Sequence, residues 1–505
     1  MGTDVMTADA PQAIPAGSLS RRAALHILNR LGYGPRPGDI DRVLDLGIER
    51  YIDDQLSLVP DPDLEARLAS FPYLRWSMAE TWSYYQQDQQ SQNNAAATRT
   101  NFIGELHNQL RGAQLARAAH SRNQLLEVMT GFWFNHFNVN LPDDYVRYSA
   151  HDYEREMRRH ALGKFRDVLN ASAHHPAMMS YLDNYLSRIS RTDPRTGRLL
   201  QGLNENYGRE LLELHTVGVD AGYTQEDVYE AARVLTGWGL NNVQGRFVFS
   251  ANNHDPKATT VFGLTIPQGL GQQSGEMLLD FLARHEKTAH FISTKLVRHF
   301  VADDPPRLLV ARVTDKYLAT DGDIPSMLRV IFTSNEFWAE AFGQGKYKDP
   351  FQYVVSTLRG LDADVRDGRA LAAVLNNMGQ PQYACIPPTG WTDKGREWVN
   401  PSSHMYRMNF ALDLVSNVTG GNTAQPFAGV FVDVPRLLRN NAVDPEDGQA
   451  VIAFFNREVF GGALSSQTTG AAATLNSPGA PSNTRVGFAN RLAGLLLAGP
   501  EAQGR

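Results

Sequence analysis

The sequence contains a single cysteine, Cys385. One cysteine excludes an internal disulfide framework and any zinc or iron–sulfur site built from several cysteines. The chain also has no run of about 18 apolar residues, the length that a membrane-spanning helix requires, so no membrane span is expected. Its first 22 residues, MGTDVMTADAPQAIPAGSLSRR, contain no apolar stretch of the kind that a signal peptide needs.

An excess of positive charge is missing as well. Lys and Arg together number 48, Asp and Glu number 54, and the formal net charge is -6. This balance provides no basic field for nucleic acid or for an anionic membrane, and no nucleic-acid partner is expected. Hydrophobic residues make up 42% of the 505 residues, which is enough to build a large core.

Helical patterns fill most of the chain, whereas strand patterns are few. Residues 39–58 carry apolar side chains at spacings near 3.6 residues, which predicts one helix. Thr224 with Asp227 is an acidic variant of the capping box and predicts the start of another helix. Residues 247–249 and 259–262 are expected to pair as a small hairpin. The predicted fold is all-α, a large multi-helix single domain with a small β-hairpin appendage.

Composition suggests four segments along the chain. Residues 1–18 are expected to be a flexible tail, and residues 19–459 the helical domain. Residues 460–484 are poor in bulky apolar side chains, which is typical of a flexible linker. Residues 485–505 are expected to form a C-terminal helix and tail, with the helix docked on the body or bound to a partner.

The densest polar cluster is NENYGRELLELHT at 204–216. On a helix its apolar residues share one side: Tyr207, Leu211 and Leu214. Gly208 costs a helix interior about 1 kcal/mol relative to alanine, so we expect it to permit the close approach of another helix or a ligand. The charged residues opposite form either a solvated face, with Glu205 paired to Arg209, or part of a functional site.

Polar and aromatic residues elsewhere supply further candidates. His136 and Asn138 lie in the aromatic segment FWFNHFNVN, and Asp183 follows the His-Pro turn near residue 175. Trp391 and Trp398 lie in a Pro/Gly-rich loop, where they either stack on a flat ligand such as a sugar or anchor the loop to the core.

Several segments resemble a known bacterial family when they are taken together. They are HILNRLGYGPRPGD (26–39), FWFNHFNVN (132–140), HALGKFRDVLNASAHHPAMMSYLDN (160–184), NENYGRELLELHTVGVDAGYTQEDVYEAARVLTGW (204–238), KLVRHFV (295–301) and GWTDKGREWVN (390–400). Over roughly residues 20–420 the chain resembles the proteins grouped as domain of unknown function 1800.

The resemblance implies a helical bacterial protein that is usually exported, often through a Tat-type signal. A periplasmic or extracellular location is therefore expected, with a cytoplasmic relative as the alternative because this chain shows no signal peptide. Genes of the family often neighbour a second family that looks like sulfatases, which suggests a sulfatase-like partner. The resemblance brings no settled activity with it.

The leading hypothesis is a hydrolase that acts on an extracellular glycan or a similar polymer through paired carboxylates. Glu210 and Glu213 are the first candidates and Glu205 is the third, while Arg209 and His136 would orient or neutralise the reacting groups. The candidate substrate-binding residues are Asn204, Asn206, Asn138, Asp183, Asn184, Trp391 and Trp398.

Two alternatives remain open. The first is a metal-dependent enzyme that uses a divalent metal, with candidate ligands Glu210, Glu213, His215, His136 and His175. The second is a non-catalytic exported scaffold or a partner of the sulfatase-like neighbour. The 204–216 cluster would then be a buried ion network that fixes helix packing.

Overall fold

The computed structural model describes residues 20–92, 102–192, 195–197, 199–200, 202–341, 345–416, 427–474 and 487–505. The tail expected at residues 1–18 lies outside these ranges. Helices dominate the described residues, which confirms the predicted all-α class.

The helices of the first half are α1 (Arg21–Arg30), α2 (Asp39–Leu46), α3 (Ile48–Ser57), α4 (Pro62–Leu68), α5 (Met78–Gln92), α6 (Phe102–His120), α7 (Gln124–His136), α8 (Val146–His160), α9 (Phe165–Ala173), α10 (Pro176–Tyr181), α11 (Asn206–Glu210) and α12 (Gln225–Val234). Those of the second half are α13 (Gln272–Arg284), α14 (Glu286–Phe300), α15 (Arg307–Thr320), α16 (Ile324–Phe332), α17 (Asn335–Ala339), α18 (Pro350–Gly360), α19 (Arg369–Asn377), α20 (Pro401–Leu414), α21 (Val434–Asn440), α22 (Gly448–Glu458), α23 (Ser466–Thr474) and α24 (Phe488–Ala498). Short 3-10 helices occur at Pro72–Arg75, Asn184–Leu186, Gly395–Trp398 and Pro500–Gln503, and a π-helical segment at Leu211–His215.

The strands are β1 (Arg191–Thr192), β2 (Leu199–Leu200), β3 (Trp238–Asn241), β4 (Arg246–Phe249), β5 (Thr259–Val261), β6 (Leu264–Ile266), β7 (Asp364–Val365) and β8 (Val430–Phe431). They form antiparallel pairs in the order β1–β2, β3–β4, β5–β6 and β7–β8. The predicted pairing of 247–249 with 259–262 is wrong, because each of these segments pairs with its nearer neighbour across a tight turn. Gly245 and Gly263 occupy those turns at positive φ, a conformation that glycine adopts at little cost.

The predicted helix over 39–58 is interrupted at Gly47. This residue has φ +81°, ends α2 and begins α3, and both helices bury apolar residues in the common core. The predicted helix start at Thr224 is confirmed, since Thr224 and Asp227 form a reciprocal capping box on α12.

One continuous hydrophobic core runs from α1 to α24. Helix α24 packs against α20 and α22, and its Leu492 and Leu496 are fully buried. Within the segment expected to be a linker, residues Ser466–Thr474 form α23, which packs on α24, while residues 475–484 lie outside the described ranges. No helix of the described part of the chain is long and apolar enough to span a membrane.

Candidate functional site

The predicted polar cluster changes its helical geometry in the middle. Residues Asn206–Glu210 form the α-helical turn α11, and Leu211–His215 continue as a π-helix. The wider turn alters which side chains face inward, so that Leu211 and Leu212 are buried while Leu214 is only half-buried. Short π-helical segments are rare and often occur at functional sites.

Gly208 brings this segment against α12. A Cβ atom at Gly208 would lie 2.7 Å from the backbone nitrogen of Ala232 and 3.0 Å from its Cβ. The expectation that Gly208 permits the close approach of another helix is therefore confirmed, and the helix is α12.

Glu210 and Glu213 influence each other on the open side of the π-helical segment. Burial, followed by the negative charge of Glu213, raises the pKa of the Glu210 carboxyl above its usual range. Two tyrosines lie close to this pair. Burial and the charge of Glu213 raise the pKa of Tyr223, and the charge of Glu210 adds to the effect of burial in raising the pKa of Tyr181.

Glu205 and Arg209 form the predicted i,i+4 ion pair beside the Glu210–Glu213 pair. Arg209 donates to Glu205 Oε2 at 3.1 Å, and Gln225 of α12 donates to the same oxygen at 2.8 Å. The two side chains are about one-third exposed, so this interaction lies at the surface.

His136 lies beneath the π-helical segment and is fully enclosed. Its Nε2 donates to the carbonyl oxygen of His215 at 3.1 Å, and Lys295 donates to its Nδ1 at 3.0 Å. Burial and the positive charge of Lys295 hold the pKa of His136 well below its usual range, so its ring is neutral.

A chain of charged groups continues from Lys295 toward the 390–400 loop. Asp393 lies near Lys295 and 3.5 Å from His299 Nδ1. Although burial opposes ionisation, the hydrogen bond with His299 and the charge of Lys295 lower the pKa of Asp393 to about 2. Burial lowers the pKa of His299 to about 4. The segments 132–140, 211–215, 295–301 and 390–400 therefore meet around one network.

His299 and Asp393 form one end of a pocket that we call the central cleft. It is enclosed mainly by α7 and residues 380–393, has a volume of about 130 Å³, and includes Asn138 and Trp391 among its lining residues. The backbone of Trp391 is held by Asn135, which donates to its carbonyl at 2.8 Å and accepts from its N–H at 2.7 Å.

The other end of the central cleft carries a buried ion network that sequence analysis missed. Arg158 donates to both carboxylate oxygens of Glu127, at 2.8 and 2.7 Å, and to Glu154 at 2.8 Å. Arg117 donates to Glu154 from the opposite side at 3.3 Å. The spacing of Glu154 and Arg158, four residues apart on α8, could have revealed this pair, whereas Glu127 carries no local signal.

The remaining candidate binding residues do not line the central cleft, although the Trp398 ring centroid lies 6.0 Å from that of Trp391. Trp398 is buried and donates from Nε1 to the carbonyl of Thr392 at 3.3 Å, so it anchors the loop. Asn184 is also buried and donates to the carbonyls of Leu235 and Trp238.

Three further candidates lie outside the central cleft. Asp183 is half-buried at φ +57°, and its pKa is raised by burial and by the charges of Asp144 and Asp143. Asn204 accepts from the backbone N–H of Asn206 through Oδ1, and Asn206 is exposed.

The metal-ligand candidates do not converge. Both ring nitrogens of His136 are engaged, and His175 uses Nδ1 to accept from the N–H of Ala177 at the start of α10. Among the residues that the structure describes, no group of three or more His, Cys, Asp or Glu side chains is arranged to hold a metal ion.

The fold and the site define an all-α protein with a π-helical carboxylate pair and a polar cleft. Within this class, the chain belongs to the DUF1800 family of proteins of unknown function, whose family model matches residues 26–504. The match covers nearly the whole chain and continues through α23 and α24. No curated protein and no solved structure matches the chain.

Proposed function

We propose that the protein is a hydrolase of a glycan or a similar polar polymer, with Glu210 and Glu213 as its reacting carboxylates. The observation that carries this proposal is the environment of Glu210. Its carboxyl is half-buried next to a second carboxylate, and this raises its pKa. A carboxyl group that keeps its proton closer to neutral pH is suited to act as a general acid.

The two carboxylates divide the reaction between them. Glu210 donates its proton to the leaving oxygen as the bond between that oxygen and the anomeric carbon breaks. Water adds to the same carbon and gives a proton to Glu213, whose carboxylate lies near Tyr223. Paired carboxylates with different environments are the usual machinery of glycoside hydrolysis.

The surroundings of the pair favour a polar substrate. Tyr181 lies near Glu210, and its hydroxyl donates to the carbonyl of Ile386 at 2.6 Å. Asn138 donates to the carbonyls of the flanking residues Cys385 and Pro387, both at 2.9 Å. Asn138 also lines the central cleft, so Tyr181 and Asn138 connect the carboxylate pair to that cleft. The expected export of family members would give the enzyme access to extracellular polymers.

The test is the release of reducing ends from a panel of soluble polysaccharides by the purified full chain. Glu210→Gln and Glu213→Gln should each lower turnover at least about 100-fold, because general acid–base catalysis contributes on this scale. Glu226→Gln, at an exposed position near the start of α12, is the matched control and should retain full turnover. Equal turnover by the wild type and Glu210→Gln would refute the proposal.

A further inference from the structure

We infer that the central cleft binds one neutral sugar ring. Its volume of about 130 Å³ is near the roughly 150 Å³ of an engineered apolar cavity that binds benzene, so the cleft holds no more than one six-membered ring. The inference rests on the proposed function for the substrate class, but binding in the cleft can be measured without turnover.

The charges around the cleft favour a ligand without net charge. Glu127 and Glu154 are balanced by Arg158 and Arg117, all within one buried network. At the other end, Asp393 faces the positive charge of Lys295, and Lys346 pairs with Asp303 at 3.0 Å. A charged ligand would leave one of these buried networks unbalanced, which is costly at low dielectric, whereas a neutral ligand leaves both intact.

Two polar groups of the lining residues lack partners. Tyr383 and Gln382 are more than nine-tenths buried, and neither the Tyr383 hydroxyl nor Gln382 Oε1 has a hydrogen-bond partner within the described parts of the chain. Buried polar groups in proteins are rarely left unpaired, because each costs about 1–3 kcal/mol. Both groups belong to residues that line the cleft, so the hydroxyl groups of a bound sugar would supply the missing partners.

The backbone at Tyr383 is strained at the same place. Tyr383 has φ +58°, a conformation that is unfavourable for a bulky residue. Its carbonyl is fixed there by a 2.7 Å hydrogen bond from the N–H of Leu141. Strained residues of this kind concentrate at binding and active sites, where they orient a functional side chain.

Trp391 provides an aromatic surface in the cleft. Asn135 holds its backbone at both the N–H and the carbonyl, and Gly390 approaches Asn135 so closely that a Cβ atom would lie 2.3 Å from the Asn135 carbonyl oxygen. The backbone of Trp391 is thus fixed before any ligand arrives, and its indole packs against that of Trp398 with 6.0 Å between the ring centroids. Such preorganisation reduces the entropy lost on binding. A fixed aromatic ring beside carboxylate and amide groups suits the alternating apolar and hydroxylated faces of a sugar.

The test measures binding of D-glucose, D-galactose, D-mannose and N-acetyl-D-glucosamine to the full chain by saturation-transfer NMR. We expect saturable binding of at least one sugar. Tyr383→Phe should weaken this binding by about 5- to 10-fold through loss of one hydrogen bond. Gly131→Leu should abolish it, because Gly131 lines the cleft and the added side chain would occupy it.

The control is Tyr406→Phe, at a tyrosine that is 47% exposed and does not line the cleft, and it should bind as the wild type does. Circular dichroism establishes that each variant is folded. Absence of binding for all four sugars, or unchanged binding in both folded cleft variants, would overturn the inference. Glu210→Gln separates sugar binding in the cleft from catalysis by Glu210 and Glu213. If this variant loses turnover but still binds the sugar, the cleft is occupied independently of the catalytic proposal.

Discussion

His136 donates a hydrogen bond from Nε2 to the backbone carbonyl of His215, with 3.1 Å between the two atoms. A carbonyl oxygen can only accept, so the proton is on Nε2 and Nδ1 is free to accept from Lys295. This contact joins the end of α7 to the π-helical segment beside Glu210 and Glu213. With both ring nitrogens engaged, His136 is suited to hold these elements together rather than to transfer a proton.

Replacement of His136 by alanine should therefore destabilise the fold. We expect His136→Ala to lower the free energy of unfolding by about 3 kcal/mol, because it leaves a cavity and removes the acceptor for Lys295. Chemical denaturation of the wild type and the variant measures the difference.

A double-mutant cycle with Lys295→Met separates the hydrogen bond from the cavity. If Lys295 stabilises the fold through His136, the double variant should be at least about 1 kcal/mol more stable than the sum of the single effects implies. Strict additivity would show that the two side chains act independently.

The buried ion network of the central cleft should be essential for stability. Glu154→Gln removes a carboxylate that lies between Arg158 and Arg117 and is 3% exposed. Removal of one partner from a buried ion pair costs about 3–5 kcal/mol, and urea unfolding should show a loss of this size. The matched control on the same helix is Glu156→Gln, whose pair with Arg159 lies at the surface, and its effect should stay below about 0.5 kcal/mol.

Stability should fall as the pH decreases from about 6.5 toward 3. Burial, with the charges of Arg67 and Arg36, lowers the pKa of His120 to about 3. In the unfolded chain the imidazole of His120 binds a proton below about pH 6.5. Between about pH 6.5 and pH 3, unfolding therefore takes up a proton, and a lower pH favours the unfolded state. The contribution of the neutral His120 ring to the free energy of unfolding is complete above about pH 6.5. It is lost as the pH falls through the pKa that His120 has in the folded state.

The neutral ring of His120 has a structural role, since its Nε2 accepts from the N–H of Val365 at 3.2 Å. His120→Gln keeps an acceptor without a titrating group, so proton uptake on unfolding near pH 5 should fall by about one proton. The slope of the unfolding free energy against pH, measured from pH 4 to pH 7.5, gives the number of protons taken up on unfolding. The exposed His290, replaced by Gln, serves as the control, and an identical slope in His120→Gln and the wild type would contradict the prediction.

Two glycines in helices should respond in opposite ways to alanine. Gly208→Ala places a methyl group 2.7 Å from the backbone of Ala232, and we expect a loss of about 1–3 kcal/mol from overpacking. At Gly131 the nearest atom is the Tyr33 hydroxyl at 3.7 Å, so Gly131→Ala should be neutral or stabilise α7 by up to about 1 kcal/mol. Thermal unfolding of both variants tests the contrast, which a common effect of the same sign would contradict.

Local sequence patterns determined a large part of this molecule. The all-α class, the capping box of Thr224 and Asp227, the Glu205–Arg209 pair and the close approach at Gly208 follow from interactions within a few residues, or from the steric demand of one residue. A periodic pattern could not reveal the break at Gly47, because the apolar stripe continues across it while one backbone torsion ends the helix. The same pattern could not reveal the π-helical turn at Leu211–His215, because the register of that turn depends on how α11 packs against neighbouring helices.

Only the tertiary structure decided which polar residues come together. His136, His215 and Lys295 are up to 159 residues apart in the chain, and Glu127 meets Arg158 across two helices. These contacts arise because helices pack through their apolar faces, and that packing determines which buried polar groups must pair with each other. It also gave two neighbouring indoles different positions, since Trp398 is buried and anchors the loop while Trp391 lines the central cleft. The sequence determined the helices and their caps, whereas the packing of distant helices determined the cleft and its charges.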